Sequence, residues 1–122
     1  MNGNNILLDT NIVLYLLSGD KVLADLLFGK KLYLSFINQL KLLGFKGIVR
    51  DQYTEINKFI KECIVIDINE EIKNKVIELR RTTRLKLPDS IILATAQYLN
   101  IPIITSDDDF KATGIPEVII YT

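Results

Sequence analysis

Short apolar runs separated by helical patterns constrain this chain more than any single motif. "NILLD" (residues 5–9), "KKLYLSF" (30–36), "CIVIDI" (63–68), "IPIITS" (101–106) and "PEVIIYT" (116–122) each read as a strand. The segments between them carry helical spacing. "NIVLYLLSG" and "KVLADLLF" give two short helices broken at Gly19-Asp20. "INQLKLLGF" gives a third, with Ile37, Leu40 and Leu43 inward and Gly44 as its stop. "DQYTEINKFIKE" turns Tyr53, Ile56, Phe59 and Ile60 inward, and Asn69 to about Thr83 carries the stripe Ile72, Val76 and Leu79. "LPDSIILATAQYLN" is the most strongly marked helix, with Pro88 suited to the first helical position and Ile92, Ala96 and Leu99 inward.

Parallel strands need crossover connections, so this rhythm predicts an α/β domain. The expected form is a three-layer sandwich: a mainly parallel sheet of four to five strands with helices on both faces. The continuous apolar run of "CIVIDI" predicts a strand covered on both sides. With 122 residues and no Pro/Gly/Ser-rich linker, residues 1–122 form one expected domain.

Composition narrows the chemistry. There is no histidine, which removes Ser-His-Asp triads, Cys-His dyads and paired-histidine ribonuclease chemistry. Any catalysis must use carboxylates, hydroxyls, amines or a bound hard metal. Cys63 is the only cysteine, so it forms no internal disulfide, and its apolar setting predicts a buried thiol. Lys plus Arg equals Asp plus Glu at 15 each, so any nucleic-acid contact must come from a local patch. "RRTTRLK" is the best candidate, with Arg80 and Arg84 four apart; a solvated helix end explains it equally well. No apolar run is long enough for a membrane span, and Met1 to Asn5 lack the pattern of a secretory leader, so a cytoplasmic location is expected.

The candidate chemistry lies at strand ends. Asp9 closes the first strand, Ser35 ends the second, and Asp107 to Asp109 follow the fourth. Asp89, in a first helical turn, reaches the same edge if its helix packs back from the neighbouring connection. Each acid has a structural explanation as a cap or solvated turn, but their convergence on one edge points to Mg²⁺ or Mn²⁺, which take oxygen ligands.

Taken together, "LLDTNIVLYLL", "LYLSFI" and "LPDSIILATAQYLNIPIITSDDDF" resemble a PIN domain, and closely the small VapC toxins of bacterial toxin–antitoxin pairs. The resemblance covers nearly the whole chain and implies a PIN-like, Rossmann-like sheet and a Mg²⁺- or Mn²⁺-dependent endoribonuclease. It implies Asp9, Asp89 and Asp107 as catalytic metal ligands, with Asp109 assisting. Thr10, Asn11, Ser35, Thr105 and Ser106 would be hydrogen-bonding neighbours, and Arg80, Arg81 or Arg84 phosphate contacts. It also implies a homodimer and an antitoxin partner. The apolar "IVLYLL" helix, with Tyr15 and Leu16, offers a docking surface, although packing on the sheet accounts better for most of its residues.

One stretch departs from the family pattern. Relatives of this kind read in the sense "SFITELELLG" where this chain has "SFINQLKLLG". Asn38 replaces a hydroxyl, Gln39 an acid, and Lys41 stands where the family places a glutamate. The exchange at Lys41 alters local charge by two units and weakens the expected ion site. Two readings follow: a ribonuclease with a weakened acidic site, or a catalytically degenerate protein that still binds an antitoxin-like partner or RNA. An ion pair from Lys41 to Asp9 or Asp89 would keep the crevice ordered without a metal. A phosphorelay receiver fits poorly because no lysine follows the fifth strand, and a nicotinamide-binding fold lacks its glycine turn.

Overall fold

A computed structural model describes residues 3–122; Met1 and Asn2, part of the leader reading, lie outside the described residues. Five strands, β1 (Asn5–Leu8), β2 (Lys31–Ser35), β3 (Ile64–Ile66), β4 (Ile103–Thr105) and β5 (Val118–Ile120), form one sheet in the order β3-β2-β1-β4-β5. All four pairings are parallel. Among the described residues seven helices connect them: α1 (Thr10–Leu17), α2 (Lys21–Leu27), α3 (Phe36–Leu43), α4 (Arg50–Glu62), α5 (Glu70–Thr82), α6 (Leu87–Leu99) and α7 (Asp108–Lys111).

Alternation along the central strands builds the two cores. Ile6 and Leu8 of β1 join Ile104, Ile12, Leu23, Leu34, Leu42 and Ile60 on one face. Leu7 and Ile103 turn to the other, where Ile72, Leu79, Ile92, Leu93 and Phe110 lie. Thus α1, α2 and α4 cover one side of the sheet and α5, α6 and α7 the opposite side. The chain moves outward from β1 to β3 along one direction, then crosses back to β4. Connections of one hand require the helices to change face at that reversal. The reversal falls between β1 and β4, the place where open α/β sheets form their sites.

Several details differ from the sequence reading. β3 is an edge strand, and its Ile64 is exposed, so the apolar run of "CIVIDI" is only half covered. Cys63 ends α4 and is half-buried; burial pushes its thiol up to about 11, which leaves it unreactive at neutral pH. Pro88 is the second residue of α6, Leu87 the first. Tyr53 and Leu40 face solvent, whereas Leu42 is fully buried. The α3 face therefore runs through Asn38 and Leu42, four apart. Gly44 ends α3 as expected, since a Cβ there would stand 2.5 Å from the Leu40 carbonyl oxygen. The "DDD" run is the start of α7 rather than a solvated turn. Finally, α5 stops at Thr82, so Arg84 lies beyond the helix and shares no helical face with Arg80.

Candidate active site

The carboxyl ends of β1, β2 and β4 carry Asp9, Ser35 and Thr105 into the reversal between β1 and β4. Asp9 is 3% exposed and begins α1. Both of its oxygens are held. Oδ1 accepts the Thr10 N–H at 2.8 Å, and Oδ2 accepts the Thr105 hydroxyl at 2.6 Å. Burial pushes the Asp9 carboxyl above its ordinary value, opposed by the Thr105 hydroxyl, the Thr10 N–H and the Lys41 charge. The buried acid is thus oriented by two donors, and the Lys41 charge offsets only part of the cost of burying it.

Thr105 also accepts the backbone N–H of Asp107 at 3.0 Å. One hydroxyl therefore joins the Asp9 carboxylate to the turn that carries the next acid. Asp107 caps α7, its side chain accepting the Asp109 N–H at 2.8 Å. The four-residue helix is too short to persist alone, and Phe110, fully buried against the α5–α6 core, anchors it. No expectation from the sequence covers Phe110; a large aromatic directly after three acids is the signal for its anchoring role.

Asp89 enters from the first turn of α6, a helix whose buried Ile92, Leu93 and Ala96 fix its axis against the sheet. Burial and then the charge of Asp9 push its carboxyl above the ordinary value, and Lys41 pulls it down. One carboxylate oxygen from each of Asp89, Asp107 and Asp109 lies within 4.8 Å of the others. An octahedral Mg²⁺ with bonds of about 2.1 Å separates opposite ligand oxygens by about 4.2 Å. These three hard oxygen donors are therefore near enough to gather on one divalent ion. Asp9 is outside that group and couples to Asp89 and Asp107 from the buried side.

Lys41 projects from α3 with its Nζ 3.9 Å from Asp89 Oδ1. Its placement comes from Asn38, one turn earlier. The Asn38 side chain accepts the Ser35 N–H at 2.8 Å and donates to Thr10 Oγ1 at 3.0 Å. The Ser35 hydroxyl accepts the Ile37 N–H, so the pair forms a capping box. Asn38 thereby ties α3 to the residue beside Asp9. The spacing Ser35-x-x-Asn38 was the overlooked sequence signal for this arrangement.

The other expected neighbours divide. Thr10 and Thr105 bond Asp9; Ser35 caps α3; Ser106 donates to the Tyr15 hydroxyl at 3.3 Å; and Asn11 is exposed. Arg80 donates to the Leu85 carbonyl at 2.6 Å and so secures the α5–α6 connection. Arg84 lines a cavity of about 590 Å³ with Thr83, Asp109 and Thr113, next to the acids. Arg81 lines a different cleft with Asn74 and Ile77. Tyr15 is exposed, while Leu16 packs on the core, so the two do not form a common surface. No helix among the described residues is long and apolar enough to cross a membrane.

No curated protein matches this sequence. A chain of a toxin–antitoxin complex from Klebsiella pneumoniae is similar, at 33% identity and a TM-score of 0.80, over 93% of this chain and 95% of that one. A chain of VapBC2 from Rickettsia felis, bound to a DNA fragment from its promoter, superposes with a TM-score of 0.75 at 20% identity, covering 96% and 97%. A chain of FitAcB from Neisseria gonorrhoeae does so with a TM-score of 0.72 at 23% identity, covering 93% and 96%. The family model described as PIN domain matches residues 6–116, and with the five-stranded parallel sheet and its strand-end acids this establishes that the chain belongs to the PIN domain family.

Proposed function

We propose that this protein is a Mg²⁺- or Mn²⁺-dependent endoribonuclease, the toxin of a toxin–antitoxin pair, working with a weakened acidic site. The observation that carries the reading is the convergence of the Asp89, Asp107 and Asp109 oxygens within 4.8 Å at the sheet's reversal point. These three would hold the ion, and Asp9 would complete its surroundings from the buried side. When bound, such an ion polarises a phosphodiester and lowers the pKa of an attacking water. Thr105 orients Asp9 and the Asp107 backbone through one hydroxyl, so both acids keep their positions as RNA enters. Arg84, on the cavity beside Asp109, would hold a backbone phosphate.

Partners are inferred from the relatives. The Klebsiella pneumoniae structure is a toxin–antitoxin complex, and an antitoxin is accordingly the proposed partner here. A cleft lined by Leu14, Leu17, Phe45 and Ile56 offers an apolar seat for one of its segments. A homodimer in the cytoplasm completes the proposal.

The 3.9 Å approach of Lys41 to Asp89 favours a second reading, a degenerate PIN protein that binds its partner or RNA without cutting. Incubating an unstructured RNA with Mn²⁺ decides between them. Cleavage that EDTA stops and Asp89→Asn abolishes supports the ribonuclease; intact RNA with the native protein and retained binding supports the degenerate form.

A further inference from the structure

Lys41 stands on a rigid base. Asn38 and Leu42, its neighbours along α3, are fully buried, and the Ser35–Asn38 capping box with the Asn38–Thr10 bond fixes the helix start. The side chain above that base is less confined, at 40% exposed, while the Asp89 carboxylate it approaches is 13% exposed. One carboxylate oxygen of Asp89 also belongs to the group that fits a divalent ion.

We infer that Lys41 is a tethered counter-cation that a divalent ion must displace from Asp89. This rests on the reading of Asp89, Asp107 and Asp109 as the ion's ligands. Without an ion, the acids Asp9, Asp89, Asp107 and Asp109 crowd one crevice, and the ammonium pairs with Asp89 while its charge also acts on Asp9. An ion seated on Asp89 places a double positive charge within a few ångströms of that ammonium, and the two repel. The flexible four-carbon stem gives Lys41 a way out to solvent, so loading is an exchange of one cation for another. The site is therefore ordered when empty and binds its ion weakly.

Mn²⁺ binding followed by electron paramagnetic resonance tests this in native protein, Lys41→Met, Lys41→Arg and Lys41→Glu. Methionine keeps an unbranched stem and removes the charge, so Lys41→Met is expected to bind Mn²⁺ about tenfold more tightly than the native chain. Lys41→Arg, which keeps the charge, is expected to stay within about threefold of native. In EDTA, Lys41→Met is expected to melt below the native protein, because the acids then lack their counter-charge; Mn²⁺ is expected to reverse that order. Equal Mn²⁺ affinity in native and Lys41→Met would overturn the inference and leave the metal reading intact. Absence of binding in all four, Lys41→Glu included, would overturn the metal reading along with it.

Discussion

The Thr105 hydroxyl donates to Asp9 Oδ2 at 2.6 Å while accepting the Asp107 N–H at 3.0 Å. This residue is fully buried at the end of β4, and it joins the two strand ends across the sheet's reversal. Thr105→Val removes donor and acceptor together with almost no change in shape. The expected cost is about 1–3 kcal/mol in urea denaturation, since an Asp9 oxygen and a backbone N–H both lose a partner. The Asp9 carboxyl should rise further, because that hydroxyl is the largest influence lowering it. Weaker Mn²⁺ binding in the same variant would follow from the loss of orientation at both acids.

Asn38 and Leu40 invert the usual expectation for polar and apolar residues on a helix. Asn38 is fully buried and holds Ser35 and Thr10, whereas Leu40 is 59% exposed. Asn38→Ala is expected to destabilise by about 1–3 kcal/mol through loss of the cap and the cross-helix bond. Leu40→Ala is expected to stay within about 0.5 kcal/mol of native. Chemical denaturation of the two variants side by side checks the pair.

Asp89 should make the metal-free fold less stable as pH rises. Its carboxyl is held above 3.8, first by burial and then by Asp9. The folded chain therefore retains this proton where the unfolded chain has lost it. Its stabilising contribution is present below 3.8 and lost as pH climbs through the raised folded value. Asp89→Asn is expected to raise the Tm in EDTA near neutral pH, with a smaller gain in acid. The lost contact to Lys41 offsets part of this gain, reduced because that ammonium is partly solvated.

Arg80 and Arg84 should separate stability from RNA contact. Arg80→Ala removes the bond to the Leu85 carbonyl and is expected to cost about 1.5–3 kcal/mol. Arg84 is exposed on the cavity beside Asp109, so Arg84→Ala is expected to leave stability within about 0.5 kcal/mol while weakening RNA binding severalfold. Thermal melts and a filter-binding titration with one RNA oligonucleotide measure both effects.

The strand and helix order was legible because a parallel sheet leaves a simple trace: apolar runs of a few residues, each followed by helical spacing. Asp9, Asp89 and Asp107 were legible for a related reason, as polar residues directly at the ends of those runs or in a first turn. What escaped were choices made by tertiary contacts. On α3 two stripes of similar spacing compete, and the pattern Ile37, Leu40, Leu43 looked the more apolar. The fold selects Asn38 and Leu42 because the Asn38 amide finds partners in Ser35 and Thr10, which removes the cost of burying it. The half-covered state of β3 was equally hidden, since an apolar run does not reveal which strand will lie at the edge. Arg80 looked like a phosphate contact until the turn after α5 brought the Leu85 carbonyl within reach.

On the proposed function, Asp89, Asp107 and Asp109 hold a divalent ion at the reversal of the sheet. Titration calorimetry of Mn²⁺ into the native protein and into Asp107→Asn tests it most directly. Asp107 is half-buried, and its replacement by asparagine keeps an oxygen able to cap α7. One saturable binding event is expected in the native chain, weakened at least about tenfold in Asp107→Asn. Equal binding by the two proteins, or none by the native chain, would contradict it.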